Sequence, residues 1–168
     1  MSTGPAGEGA RPAGRYFEEL DVGDVFVSPA RTVTEADVVA FAGLSGDYNA
    51  LHTDEELARA SPFGRRIAHG MLGMSILTGL TARLGLFEGT AIAFLGLEWR
   101  FTAPIFIGDT VHCELEILEK RETRNAERGV LVRGARLVNQ RGEVTQEGTS
   151  TIMIARAPQP AAAELSRT

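Results

Sequence analysis

The sequence has almost no cysteine. Cys113 stands alone among 168 residues, so no disulfide can form within the chain, which fits a reducing, cytoplasmic location. Excess positive charge is also missing: the formal net charge is -5. That argues against a nucleic-acid partner, which calls for a basic stripe, and against an anionic membrane surface. No apolar run is long enough to span a bilayer. The longest, GMLGMSILTGLTA at 70–82, has the length of a buried helix. The opening MSTGPAGEGARPAGR has no apolar centre and does not read as a secretion signal. There is no internal repeat, P-loop, dinucleotide fingerprint or nucleophile elbow. No His or Cys cluster has metal-ligand spacing, so the expectation is no metal and no cofactor.

The length predicts one domain. Residues 1–15 and 157–168, rich in Gly, Pro and Ala, are expected to be disordered tails around a folded unit at 16–156. DVFVSPARTV reads as a strand, with Pro29 at an edge or bulge. TEADVVAFAG reads as a helix with Thr34 as N-cap and Asp37 closing the box, ended by Gly43 or Gly46. HTDEELARA reads as a short helix capped by Thr53 and Glu56, and 61–68 as a loop. A third helix runs from 70 to about 86 and is apolar all round, hence buried. After residue 89 four strand-like segments follow, and Val111, Cys113, Leu115 and Ile117 alternate with polar residues. Helices early and strands late predict an α+β domain, an antiparallel sheet wrapped around the apolar helix.

Two stretches carry chemistry. GLSGDYNALHTDEELA places Asp47, Asn49 and His52 within six residues, between two expected helices. A carboxylate beside an imidazole is the usual pairing for moving protons near neutral pH. The same residues can also be structural: Asp47 ending a helix, Asn49 making an Asx-turn, His52 packing. Both readings remain open at this point. In RIAHGMLGMS, Gly70 begins the buried helix, where free N–H groups and the helix dipole attract an oxygen gaining negative charge. His69 reads as a hydrogen-bonded residue before that helix, and His112 as a solvated histidine on a strand's polar face. Ser45 and Ser75 have no base at recognisable spacing.

FAGLSGDYNALHTDEELA closely resembles the signature of the MaoC-like dehydratases and (R)-specific enoyl-CoA hydratases. AHGML and RFTAPIFIGDTV resemble them as well, and the likeness covers about 16–156. One position departs: Ala50 stands where the family usually has proline, which removes a stiffener but no chemical group. The resemblance implies a hotdog fold, normally a homodimer or a dimer of dimers, with the site near the dimer interface. It implies that Asp47 and His52 hold a water that adds to C3 of a trans-2-enoyl thioester of CoA or of acyl-carrier protein. The Gly70 N–H would then hold the thioester oxygen. Asn49, Thr78 and Ser45 would be supporting or substrate-binding residues. CoA enters as substrate and not as cofactor. Residues 70–82 contain no Asp or Glu, unlike hotdog enzymes with a catalytic acid in the central helix. The alternatives are a dehydratase of a branched or dicarboxylic 3-hydroxyacyl-CoA, or a non-catalytic acyl-CoA-binding hotdog protein.

Overall fold

A computed structural model of the chain describes Arg11 and residues 13–158. Most of the two expected tails lies outside the described residues. Gly14 and Arg15, assigned to the first tail, are tied down: their N–H groups donate to Glu88 O and Leu86 O, both at 2.8 Å.

The first strand segment is broken as Pro29 requires, into β1 (Val25–Val27) and β2 (Arg31–Thr32). Helix α1 (Glu35–Ser45) starts at Thr34, whose hydroxyl accepts from Asp37 N while Asp37 accepts from Thr34 N. It ends at Gly46, not Gly43, because Gly46 takes the left-handed φ of 75° that a C-cap needs. Two short helices follow, α2 (Ala50–Thr53) and α3 (Glu55–Ala60). The cap of α3 is Asp54, which accepts from Glu56 N and Leu57 N. Thr53 is instead the last residue of α2, its hydroxyl donating to the Tyr48 and Asn49 carbonyls. The carboxylate wins the cap because it can accept from two amides at once.

Helix α4 (Gly70–Ala82) is shorter than expected. Gly85, at φ 68°, turns the chain out of the helix. Nor is α4 buried all round. Leu72, Met74, Ile76, Leu77 and Leu80 are in the core, while Met71 is 56% exposed and Ser75, Thr78 and Gly79 face outward.

The strands β3 (Ala91–Phe101), β4 (Thr110–Glu122), β5 (Arg128–Asn139) and β6 (Val144–Ala155) form one antiparallel sheet ordered β1-β4-β5-β6-β3, with β2 also on β4. The expected alternation on β4 holds: Val111, Cys113, Leu115 and Ile117 are buried. The first three pack with Leu137 and Ala135 of β5 against α4. A second cluster sits under the chain start, where Phe17 and Leu20 cover Ile117, Leu131, Ile152 and Ile154. Strand β3 is a sheet edge, and its Ile92, Phe94, Leu95, Leu97 and Phe101 are all exposed.

Candidate active site

The segment between α1 and α3 is built by side chains that take over backbone bonding where no helix continues. Ser45 Oγ accepts from Asp47 N, Asp47 Oδ1 accepts from Asn49 N, and Asn49 Oδ1 accepts from Leu51 N. Three turn-forming bonds two residues apart carry the chain across the N-terminal end of α4. Arg66 clamps this segment from below. It donates to Glu35 at the start of α1 (2.7 and 2.8 Å) and to Glu55 at the start of α3 (2.9 Å). The Arg66 guanidinium holds the Glu35 carboxyl below the usual carboxylate range, outweighing partial burial.

Asp47 and His52 are brought together, and His69 joins them. A carboxylate oxygen of Asp47 and one ring nitrogen from each histidine all lie within 4.8 Å of one another. The His52 and His69 rings stack at 3.8 Å between centroids, and Phe41 packs on His69 at 5.1 Å. His69 is 2% exposed and its Nε2–H donates to the Asp47 carbonyl at 2.9 Å. It was expected to be a hydrogen-bonded residue before the helix, and that bond fixes the loop that carries Asp47. Its partner, 22 residues earlier, has no local sequence signal.

The tautomer of His52 follows from a carbonyl. His52 Nδ1 lies 2.8 Å from Ile67 O. A carbonyl only accepts, so Nδ1 carries the hydrogen and Nε2 presents a lone pair. The pair therefore offers two acceptors, a carboxylate and an imidazole nitrogen, to one water.

Gly70 is the first residue of α4, and among the described residues no acceptor meets its N–H. It lines, together with His52, a cavity of about 290 Å³ whose other walls include Phe63, Ile67, Phe101 and Pro104. Its carbonyl, in the next peptide, is held by a side chain. Gln146 Nε2 donates to Gly70 O at 2.9 Å, and Trp99 Nε1 donates to Gln146 Oε1 at 3.1 Å. Gln146 passes so close under the helix that a Cβ at Gly73 would meet it at 2.1 Å. Gln146 was not singled out in the sequence. A signal existed: counting back by two from Ile154 and Ile152 puts Ser150 and Gln146 on the core face.

The supporting residues divide. Ser45 and Asn49 are turn and cap formers in the loop, and the Asn49 side-chain oxygen is spent on Leu51 N. Thr78 is not at the cluster within one protomer. It lies eight residues down α4, about 12 Å along the axis, and its hydroxyl donates to Ser75 O at 2.7 Å. His112 is half-buried, with Nε2 3.6 Å from Glu114.

An antiparallel sheet wrapped on one helix, with an acid and a histidine on the segment crossing that helix's N-terminus, defines a hotdog domain. A Mycobacterium tuberculosis protein described as a double hotdog fold shares this architecture at TM-score 0.76 and 20% identity, over 90% of this chain and 48% of that one. The chain belongs to the MaoC-like dehydratase family: the family model described as MaoC like domain matches residues 20–137. It is 42% identical to protein MaoC of Klebsiella aerogenes over 65% of this chain and 32% of that protein. It is 36% identical to a 3-hydroxybutyryl-CoA dehydratase of Methylorubrum extorquens over 62% of this chain and 64% of that one. An (R)-specific enoyl-CoA hydratase of Rhodospirillum rubrum is 34% identical over 83% of this chain and 91% of its own. The chain thus spans about a third of the first relative, 64% of the second and most of the third. The crystal structure of the MaoC-like dehydratase from Rhodospirillum rubrum superposes at TM-score 0.80, with 34% identity, over 87% of this chain and 100% of that one.

Proposed function

We propose that the protein reversibly hydrates a trans-2-enoyl thioester, of CoA or of acyl-carrier protein, to the (R)-3-hydroxyacyl thioester. The observation that carries the reading is that His52 and Gly70, whose N–H has no acceptor among the described residues, line one small cavity, with Asp47 beside His52. A water held between the Asp47 carboxylate and His52 Nε2 loses a proton to Asp47 as its oxygen bonds to C3. The C2–C3 double bond opens toward the carbonyl. The resulting enolate oxygen is met by Gly70 N–H at the positive end of α4. The proton then passes to C2, and the pair returns to its starting state. Dehydration is the reverse. His69 and Gln146 hold the two halves of the site, the loop and the helix N-terminus, in register. No cofactor takes part in this scheme.

The working unit is a homodimer. Strand β3 is an edge carrying five exposed large apolar residues, and the end of α1 and the loop after it expose Leu44 (84%) and Tyr48 (65%). Such an edge is normally covered. Light scattering at micromolar concentration is expected to give a dimer or a multiple, and a monomer would contradict it. The reaction is tested with crotonyl-CoA, followed by loss of the ultraviolet absorbance of the conjugated thioester, and by the configuration of the product. The (R)-3-hydroxy thioester is expected; no absorbance change, or the (S) product, would overturn the reading.

A further inference from the structure

A second cavity, of about 580 Å³, lies along the other half of α4, between the helix and strands β3, β5 and β6. Its walls are mostly apolar, with Met74, Leu77, Phe87, Phe94, Leu97 and Trp99 among them. In this setting sits a guanidinium. Arg133 lies on the core-facing side of β5, between the apolar inward positions Leu131 and Ala135, and is 8% exposed.

Its surroundings do not satisfy it. Nη2 donates to Ser150 Oγ at 3.0 Å, and the guanidinium lies 4.8 Å from the centre of the Phe87 ring. Nε–H has no acceptor, and among the described residues no carboxylate lies within ion-pair distance. Glu88, also on the cavity wall, is exposed and does not pair with it. Burial in apolar surroundings pulls the Arg133 group down to about 10, so it is still a cation at neutral pH. An arginine offers Nε–H and Nη–H as parallel donors that match the two oxygens of a carboxylate. A buried cation without an anion is costly to keep, and a ligand carboxylate resolves that cost.

We propose that this cavity takes the far end of the substrate's acyl chain and that Arg133 binds a carboxylate there, so that the protein prefers thioesters of dicarboxylic acids. The inference rests on the thioester reading above. The cavity begins near the site: Met74 on its wall is four residues from Gly70, about 6 Å along α4, and Trp99, also on its wall, donates to the Gln146 that holds Gly70 O. The cavity's outer wall is edge strand β3, through Phe94 and Leu97.

The test compares adipoyl-CoA with hexanoyl-CoA, equal in carbon number and differing in a terminal carboxylate. Calorimetry on the full chain and on Arg133→Leu and Arg133→Lys is paired with hydration of 2-hexenedioyl-CoA and 2-hexenoyl-CoA. The wild type is expected to bind adipoyl-CoA about 10- to 100-fold more tightly, the worth of a charged hydrogen-bonded pair. Arg133→Leu should reverse the preference, and Arg133→Lys keep part of it. Equal or weaker binding of adipoyl-CoA by the wild type overturns the proposal even if neither variant folds. So does a preference that survives Arg133→Leu. A carboxylate preference in binding without hydration of either enoyl thioester would support Arg133 while overturning the hydratase reading. Hydration of both without preference would do the opposite.

Discussion

Gly70→Ala separates electrostatic catalysis from packing, and the structure sets its magnitudes. The new methyl would stand 2.9 Å from Phe101 Cε1 and 3.0 Å from Cδ1. Backbone is not in its way, and Phe101 is 56% exposed near the end of an edge strand, so the ring can swing aside. Displacing a side chain from its rotamer costs about 0.5–1.5 kcal/mol. Replacing a helical glycine by alanine returns about 0.5–1 kcal/mol. The two nearly cancel, and the melting temperature should move by no more than about 4 °C. Catalysis should not escape so lightly. The methyl and the displaced ring both intrude on the cavity shared with His52, where the thioester oxygen must reach the Gly70 N–H. Losing one such donor costs on the order of 3–4 kcal/mol, so hydration should fall at least about 100-fold. The assay is a melting curve beside single-turnover hydration of crotonyl-CoA. The double variant Gly70→Ala/Phe101→Leu is the control, because it gives the ring's space back. If the double variant recovers full turnover, the loss was due to the ring and not to the donor. A stable Gly70→Ala with undiminished chemistry would place the oxyanion elsewhere and withdraw Gly70 from the mechanism.

Two further substitutions probe the supports of the site. Ala50 occupies the first position of α2, its N–H donates to no described residue, and Asn49 before it is extended (φ -52°, ψ 134°), so the backbone already suits proline. Ala50→Pro should raise stability by about 0.4–1 kcal/mol, read as a melting shift of a few degrees; a lower melting temperature would show the loop strained by the ring. Gln146→Leu strands the Trp99 indole N–H and frees the Gly70 carbonyl, which should cost about 1–3 kcal/mol. It should also lower kcat more than it raises KM, and an unchanged kcat in the folded variant would make Gln146 a packing residue only.

How much of this was legible in the sequence depended on how local the cause was. The Thr34–Asp37 box, the edge or bulge position of Pro29 and the β4 alternation each depend on residues within a turn or a strand period and were read correctly, although the strand around Pro29 is split in two. The Asp47–His52 pair was visible because the two lie only five residues apart in the sequence. Misplacing the α3 cap by one residue came from two adjacent candidates, Thr53 and Asp54, whose competition is settled by which one has amides in reach. The length and exposure of α4 were misjudged because apolar composition does not say what covers a face. Met71 and the β3 residues are apolar yet exposed, and the partner in the proposed dimer is what would cover them. His69, Gln146 and Arg133 act through partners far along the chain or on another strand. The latter two were within reach of the strand period, as polar residues at inward positions, but their partners were not.

The central claim is that Asp47 is the base. It is tested most directly by Asp47→Asn, which keeps the side chain's shape and an oxygen to accept from Asn49 N, so the loop should remain folded. General acid–base groups contribute about 100- to 10,000-fold. With melting unchanged, single-turnover hydration of crotonyl-CoA should therefore fall by at least about 100-fold. Near-wild-type hydration by a folded Asp47→Asn would contradict the account at its centre.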